Sequence, residues 1–128
     1  MDEFDLGVPT QILESLPDED DAARRDMQRA VAGLEARLNE GVSAADDERE
    51  ATQTVVGALE RLEDQLDQHD EFVPELRARG QSPIYAIAWR NLQADLIMQI
   101  QEVGWVAERI DQERNYRTVE DGIRLRDR

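Results

Sequence analysis

The sequence contains no cysteine and no lysine, and only one histidine among its 128 residues. Without cysteine there are no disulfides, no thiolate metal ligands and no cysteine nucleophile. A single histidine excludes a histidine-rich zinc or iron centre. Aromatic residues make up only 5% of the chain, and just four prolines and seven glycines punctuate it. Long apolar runs are also missing: the longest, Ile84 to Trp89, is far too short to cross a bilayer. The first residues, Met1-Asp2-Glu3-Phe4-Asp5, are acidic where a secretory leader is basic and then apolar, so the expectation is a soluble chain in the cytoplasm. At this length it has room for one domain.

What is present is carboxylate. Thirty acids face 15 bases, all of them arginine, giving a formal charge of −15. That field opposes general nucleic-acid binding and attachment to anionic membranes. Average composition would supply about half a dozen lysines in such a chain. Excess acid with arginine as the sole cation resembles proteins of extremely halophilic archaea and of their viruses. The physics agrees, because at molar salt the Debye length is about 3 Å and the chain's self-repulsion is screened. Hydrophobic residues still make up 40% of the sequence, and they are patterned, which argues against an acidic disordered tail.

Helical periodicity dominates that pattern, and the expected fold is all-α: a three-helix bundle or long antiparallel helical hairpin. Residues 1–17 read as an N-terminal arm, 18–115 as the helical domain, and 116–128 as a C-terminal tail or short β-hairpin. Helix A opens at Asp18-Glu19-Asp20-Asp21, acids suited to a helix N-terminus. Its stripe is Met27, Val31, Leu34 and Leu38, and Gly41 is its expected stop. Helix B is expected from a Ser43/Asp46 capping box and carries Val55, Leu59, Leu62, Leu66, His69 and Val73 at heptad spacing. Pro74 predicts a break or kink near 70–73, with a last turn ending at Gly80.

Helix C begins at Ser82-Pro83 and is expected to run unbroken to about Asn115. It bears one stripe through Tyr85, Trp89, Leu92, Leu96, Ile100, Val103, Ala107 and Ile110. A second stripe lies nearly opposite: Ile87, Ala94, Met98 and Trp105, with Ile97 beside it. A helix that is apolar on two sides is covered on two sides, here by the arm or by another subunit. In the tail, Arg117-Thr118-Val119 and Ile123-Arg124-Leu125-Arg126 flank Glu120-Asp121-Gly122, the pattern of a hairpin turning at glycine.

Charge is uneven. Residues 1–75 carry −16 and residues 76–128 carry +1. Interfaces are poor in acids and rich in Trp, Tyr, Met and Arg, so the partner surface is expected in the neutral half. Its residues are Ile87, Met98 and Trp105 on helix C, with Arg117, Ile123, Arg124, Leu125 and Arg126 in the tail.

Chemistry has little to work with. His69 on the helix B stripe reads as a polar residue bonded to a neighbouring helix rather than a general base. No glutamate precedes it by three, so the di-metal bundle motif is missing. Asp95 and Glu102, beside Asn91 and Gln99, read as the solvent stripe of helix C or as partners for an arginine across an interface. Phosphate-loop, nucleophile-elbow, kinase and dinucleotide motifs are absent, and no cofactor is expected.

The resulting expectation is a non-enzymatic assembly subunit from a halophilic host or its virus, forming homo-oligomers and touching neighbouring subunits. Small helical proteins with reaching termini resemble the head–tail connector (adaptor) rings of tailed viruses, a likeness of architecture without a shared motif. The alternative is a small helical binding or regulatory module, antitoxin-like or an acidic partner protein.

Overall fold

The structure, a computed structural model, describes residues 3–110. They are all-α, with four helices in the order α1 (Thr10–Ser15), α2 (Asp21–Ala44), α3 (Glu48–Ala78) and α4 (Ile84–Glu102). A further helical segment covers 104–110. The hairpin expected over 117–126 lies outside the described residues. No helix among the described residues is long and apolar enough to cross a membrane.

Capping residues set the helix boundaries. Asp20 accepts from the Ala23 amide at 3.0 Å to start α2. α2 then runs through Gly41 to Ala44, past the expected stop. The glycine is there for packing: a Cβ at Gly41 would come within 2.8 Å of Thr54 Cγ2 on α3. The expected box at Ser43 is therefore corrected to Asp47. The Asp47 carboxylate accepts from Glu50 N at 2.8 Å, and Glu50 returns a carboxylate to Asp46 N at 3.1 Å. Ser43 lies in the last turn of α2 instead.

α3 carries Pro74 in its interior and continues to Ala78, so of the break or kink expected near 70–73 the break is absent. Proline forgoes the bond to the Asp70 carbonyl and crowds it, but residue 70 is exposed, leaving water to serve that carbonyl. The turn beyond it is locked from its C-terminal end. Gly80, at φ +72°, donates to Arg77 O at 3.1 Å while Gln81 N reaches back to Leu76 O at 2.9 Å, the Schellman arrangement.

α4 starts where expected to within a residue, with Ser82 Oγ accepting from Ile84 N at 3.4 Å. It does not run unbroken to 115. Val103 turns extended (φ −62°, ψ 123°), and its carbonyl caps the next helical segment, accepting from Val106 N and Ala107 N at 2.9 and 3.0 Å. Gly104, a poor helix former, follows the break. The break shifts the apolar register: Val106 is buried and Ala107 exposed, the reverse of the unbroken expectation.

One core joins all of these elements. α3 packs against both α2 and α4, and α1 packs against α4. Met27, Val31 and Leu38 of α2 meet Val55, Leu59 and Leu62 of α3 and Leu92, Leu96 and Ile100 of α4. Two ion pairs mark the antiparallel course of α3 and the chain after Gly80: Arg90–Asp70 at 2.8 Å, and Arg109–Glu48.

Candidate functional site

The two-sided helix poses the first question: what covers its second face. Much of the answer is the arm. Phe4 and Leu16 of the arm are 2% exposed, and Leu6 and Ile12 are also buried. Phe4 meets Trp105 edge to face at 5.9 Å. Two side-chain amides hold the arm's extended backbone, each serving both polar groups of one residue. Asn39 of α2 accepts from Phe4 N at 2.7 Å and donates to Phe4 O at 3.0 Å. Gln99 of α4 accepts from Gly7 N at 3.0 Å and donates to Gly7 O at 2.9 Å. Asp95 accepts from the same Gln99 amide nitrogen at 2.6 Å. It is thus half-buried and orients an arm clasp, while Glu102 is exposed as the sequence suggested. Sequence reasoning missed these clasps because nothing local distinguishes an amide that binds a distant backbone from one that faces water.

The arm does not cover everything. Of the three contact residues expected on helix C, Trp105 of the 104–110 segment is half-buried against Phe4, while on α4 Ile87 is half-buried and Met98 is 59% exposed. With exposed Ile84 and Asn91, Ile87 and Met98 recur at spacings of three, four and seven, one stripe along α4 that half-buried Asp95 and exposed Glu102 share by the same spacing. Arg117, Ile123, Arg124, Leu125 and Arg126 lie outside the described residues.

His69 is bound as expected to a neighbouring helix. Its Nδ1 lies 2.9 Å from Gln65 O and 3.0 Å from Gln93 Oε1, on α4. Facing two oxygens, Nδ1 is assigned the proton and donates to both. Gln93, buried in the core, also donates to Gln65 Oε1 at 3.4 Å. The trio satisfies one buried amide and ties α3 to α4.

At the foot of α2, Tyr85 of α4 donates its hydroxyl to the Asp20 carboxylate. That bond, followed by the Ala23 amide, holds the Asp20 carboxyl below its ordinary range. The same contact pushes the Tyr85 phenol up.

The second surface feature is a groove of about 700 Å³ between α2, α3 and α4. Its floor is apolar, with Val31, Leu34, Ala58, Leu62, Leu92 and Leu96. Arg29 and Arg37 of α2 and Arg61 of α3 line it as well. Among the described residues the side chains of these three arginines make no hydrogen bond or ion pair. No local pattern marks this, because 29, 37 and 61 come to line one groove only when α2 folds back on α3. No group of three potential metal ligands gathers among the described residues.

No curated protein and no solved structure matches the chain. One family does, over residues 1–127, and the chain belongs to it: a family of unknown function, DUF7971.

Proposed function

We propose that this protein is a non-enzymatic assembly subunit whose copies join through the stripe Ile84–Ile87–Asn91–Met98 of α4. The observation that carries the reading is that stripe. α4 has only Asp95, Glu102 and Arg90 as charged residues in a chain of net −15, yet it leaves Ile84 42% and Met98 59% exposed. Exposed Ile84 and Met98 on an otherwise acidic protein are where desolvation costs least, with Asp95, bound to Gln99, and Glu102 at the same face; interfaces are enriched in methionine and depleted of carboxylates.

In its finer form the subunit is a three-helix bundle with an arm at its N-terminus. The neutral tail, with Arg117, Ile123, Arg124, Leu125 and Arg126, extends the contact surface to neighbouring subunits. The acid-rich, lysine-free composition supports a halophilic cytoplasm as its setting. Among assemblies there, the virion head–tail adaptor ring is the one its architecture favours.

Light scattering coupled to size-exclusion chromatography in molar KCl tests the reading. The wild-type chain is expected to associate with rising concentration. Met98→Glu is expected to stay monomeric with an unchanged circular dichroism spectrum. A wild type that is monomeric at every concentration refutes the subunit and leaves a module that binds a different protein.

A further inference from the structure

We infer that the groove between α2, α3 and α4 receives an amphipathic helix of a protein partner whose apolar stripe is flanked by carboxylates. Three observations converge on it. The first is charge. A chain with twice as many acids as bases leaves three arginines around one apolar groove without a carboxylate partner among the described residues. Arginine in that setting suits paired recognition of carboxylates.

The second is spacing. Arg29 and Arg37 are eight residues apart on α2, about 12 Å along the axis at ~1.5 Å per residue, and Arg61 faces them from α3. Cations so spread are not matched by the single headgroup of a fatty acid. Carboxylates at i and i+7 or i+8 of a helix laid along α2 match them, with Leu34, Leu62 and Leu96 beneath its apolar side.

The third is Gly33, in the middle of α2 and on the groove wall. A mid-helix glycine costs about 1 kcal/mol against alanine. At Gly41 the close approach of Thr54 explains such a residue, whereas a Cβ at Gly33 would meet nothing within 4 Å. Space left open over a glycine lets a second backbone come close.

This inference stands apart from the α4 stripe. Leu92 and Leu96 of the groove and Met98 of the stripe lie on roughly opposite sides of α4, at about 100° per residue.

The test uses the full chain in KCl and three probes. One is a labelled synthetic helix of about five turns, with leucine at i, i+3, i+4 and i+7 and glutamate on both flanks. The others are its twin with lysine for glutamate, and laurate. Fluorescence anisotropy is expected to show saturable binding of the acidic peptide and at least tenfold weaker binding of the lysine twin. Arg29→Gln, Arg37→Gln and Arg61→Gln are each expected to weaken binding about two- to fivefold.

Gly33→Leu fills the groove from a site with room for it. It is expected to abolish peptide binding while leaving the circular dichroism spectrum and melting unimpaired. Met98→Glu is expected to bind the peptide as the wild type does, so this inference and the assembly reading fail separately. Several results would overturn the inference: no binding of the acidic peptide, equal binding of the lysine twin, or binding that survives Gly33→Leu. Laurate displacing the peptide from the wild type but not binding Gly33→Leu would assign the groove to a small anionic amphiphile instead. Loss of self-association in Gly33→Leu would assign it to a second copy.

Discussion

Two glycines in one helix make opposite predictions. Gly33 and Gly41 both lie inside α2, where replacing glycine by alanine removes backbone entropy from the unfolded chain and gains about 1 kcal/mol. At Gly33 nothing lies within reach of the new methyl, so Gly33→Ala is expected to stabilise by that amount. For a chain of this size it raises the melting temperature by about 3–5 °C. At Gly41 the methyl arrives 2.8 Å from Thr54 Cγ2. Overpacking of this kind costs about 1–3 kcal/mol, which cancels or outweighs the propensity gain. Thr54→Ser removes the offending methyl and keeps the hydroxyl that donates to Glu50 O at 3.1 Å. In a double-mutant cycle the pair is expected to couple by about 1 kcal/mol or more, with the double variant recovering what Gly41→Ala loses. Urea unfolding followed by far-ultraviolet circular dichroism in molar KCl reads all four variants. Equal stabilisation by the two alanines, or no coupling with Thr54→Ser, would refute the close α2–α3 approach that shapes the groove.

Three further predictions concern the arm, the Asp20–Tyr85 contact and the net charge. Phe4→Ala is expected to cost about 3–5 kcal/mol and Gln99→Leu about 1–3 kcal/mol for its two hydrogen bonds to the arm, both read by urea unfolding; losses under 0.5 kcal/mol would mean the arm is not docked. The Asp20–Tyr85 contact gives stability a bounded pH window. Asp20 is held below its ordinary value, so its contribution is complete above pH ~4 and lost as pH falls through the lowered value; Tyr85 is raised, so its contribution is complete below pH ~10 and lost as pH rises through the raised value. Tyr85→Phe is expected to flatten both limbs in melting temperature against pH, and unchanged limbs would contradict the contact. Finally, with a net charge of −15, melting temperature is expected to climb as KCl rises from millimolar to molar; a fall would contradict the salt-adapted reading of the composition.

What the sequence disclosed and what it hid divide along a physical line. Period and local capping chemistry carry information within a few residues, and the stripes of α2 and α3, the start of α4 and the Gly80 stop were all legible from them. Gly41 was misread because a helix stop and a helix-packing glycine look identical until Thr54 is placed opposite. Pro74 predicts a break or kink in α3, but the helix runs on past it, beside an exposed Asp70 and a locked C-terminal turn. The break at Val103 left no periodic trace, because Val106 and Ala107 are both apolar enough to occupy either face. The arm clasps by Asn39 and Gln99, and the arginine-lined groove, depend on residues brought together from 24 to 92 positions away in the chain. No local pattern encodes them.

The most direct test of the assembly is a distance between copies. The chain contains no cysteine, so Met98→Cys provides a single site for a nitroxide label on the α4 stripe. Pulsed dipolar spectroscopy in molar KCl is predicted to show a defined distance between labels on different copies, lost on dilution with unlabelled protein. A wild-type-like, fully labelled sample with no intermolecular dipolar signal would contradict the claim that α4 joins one copy to the next.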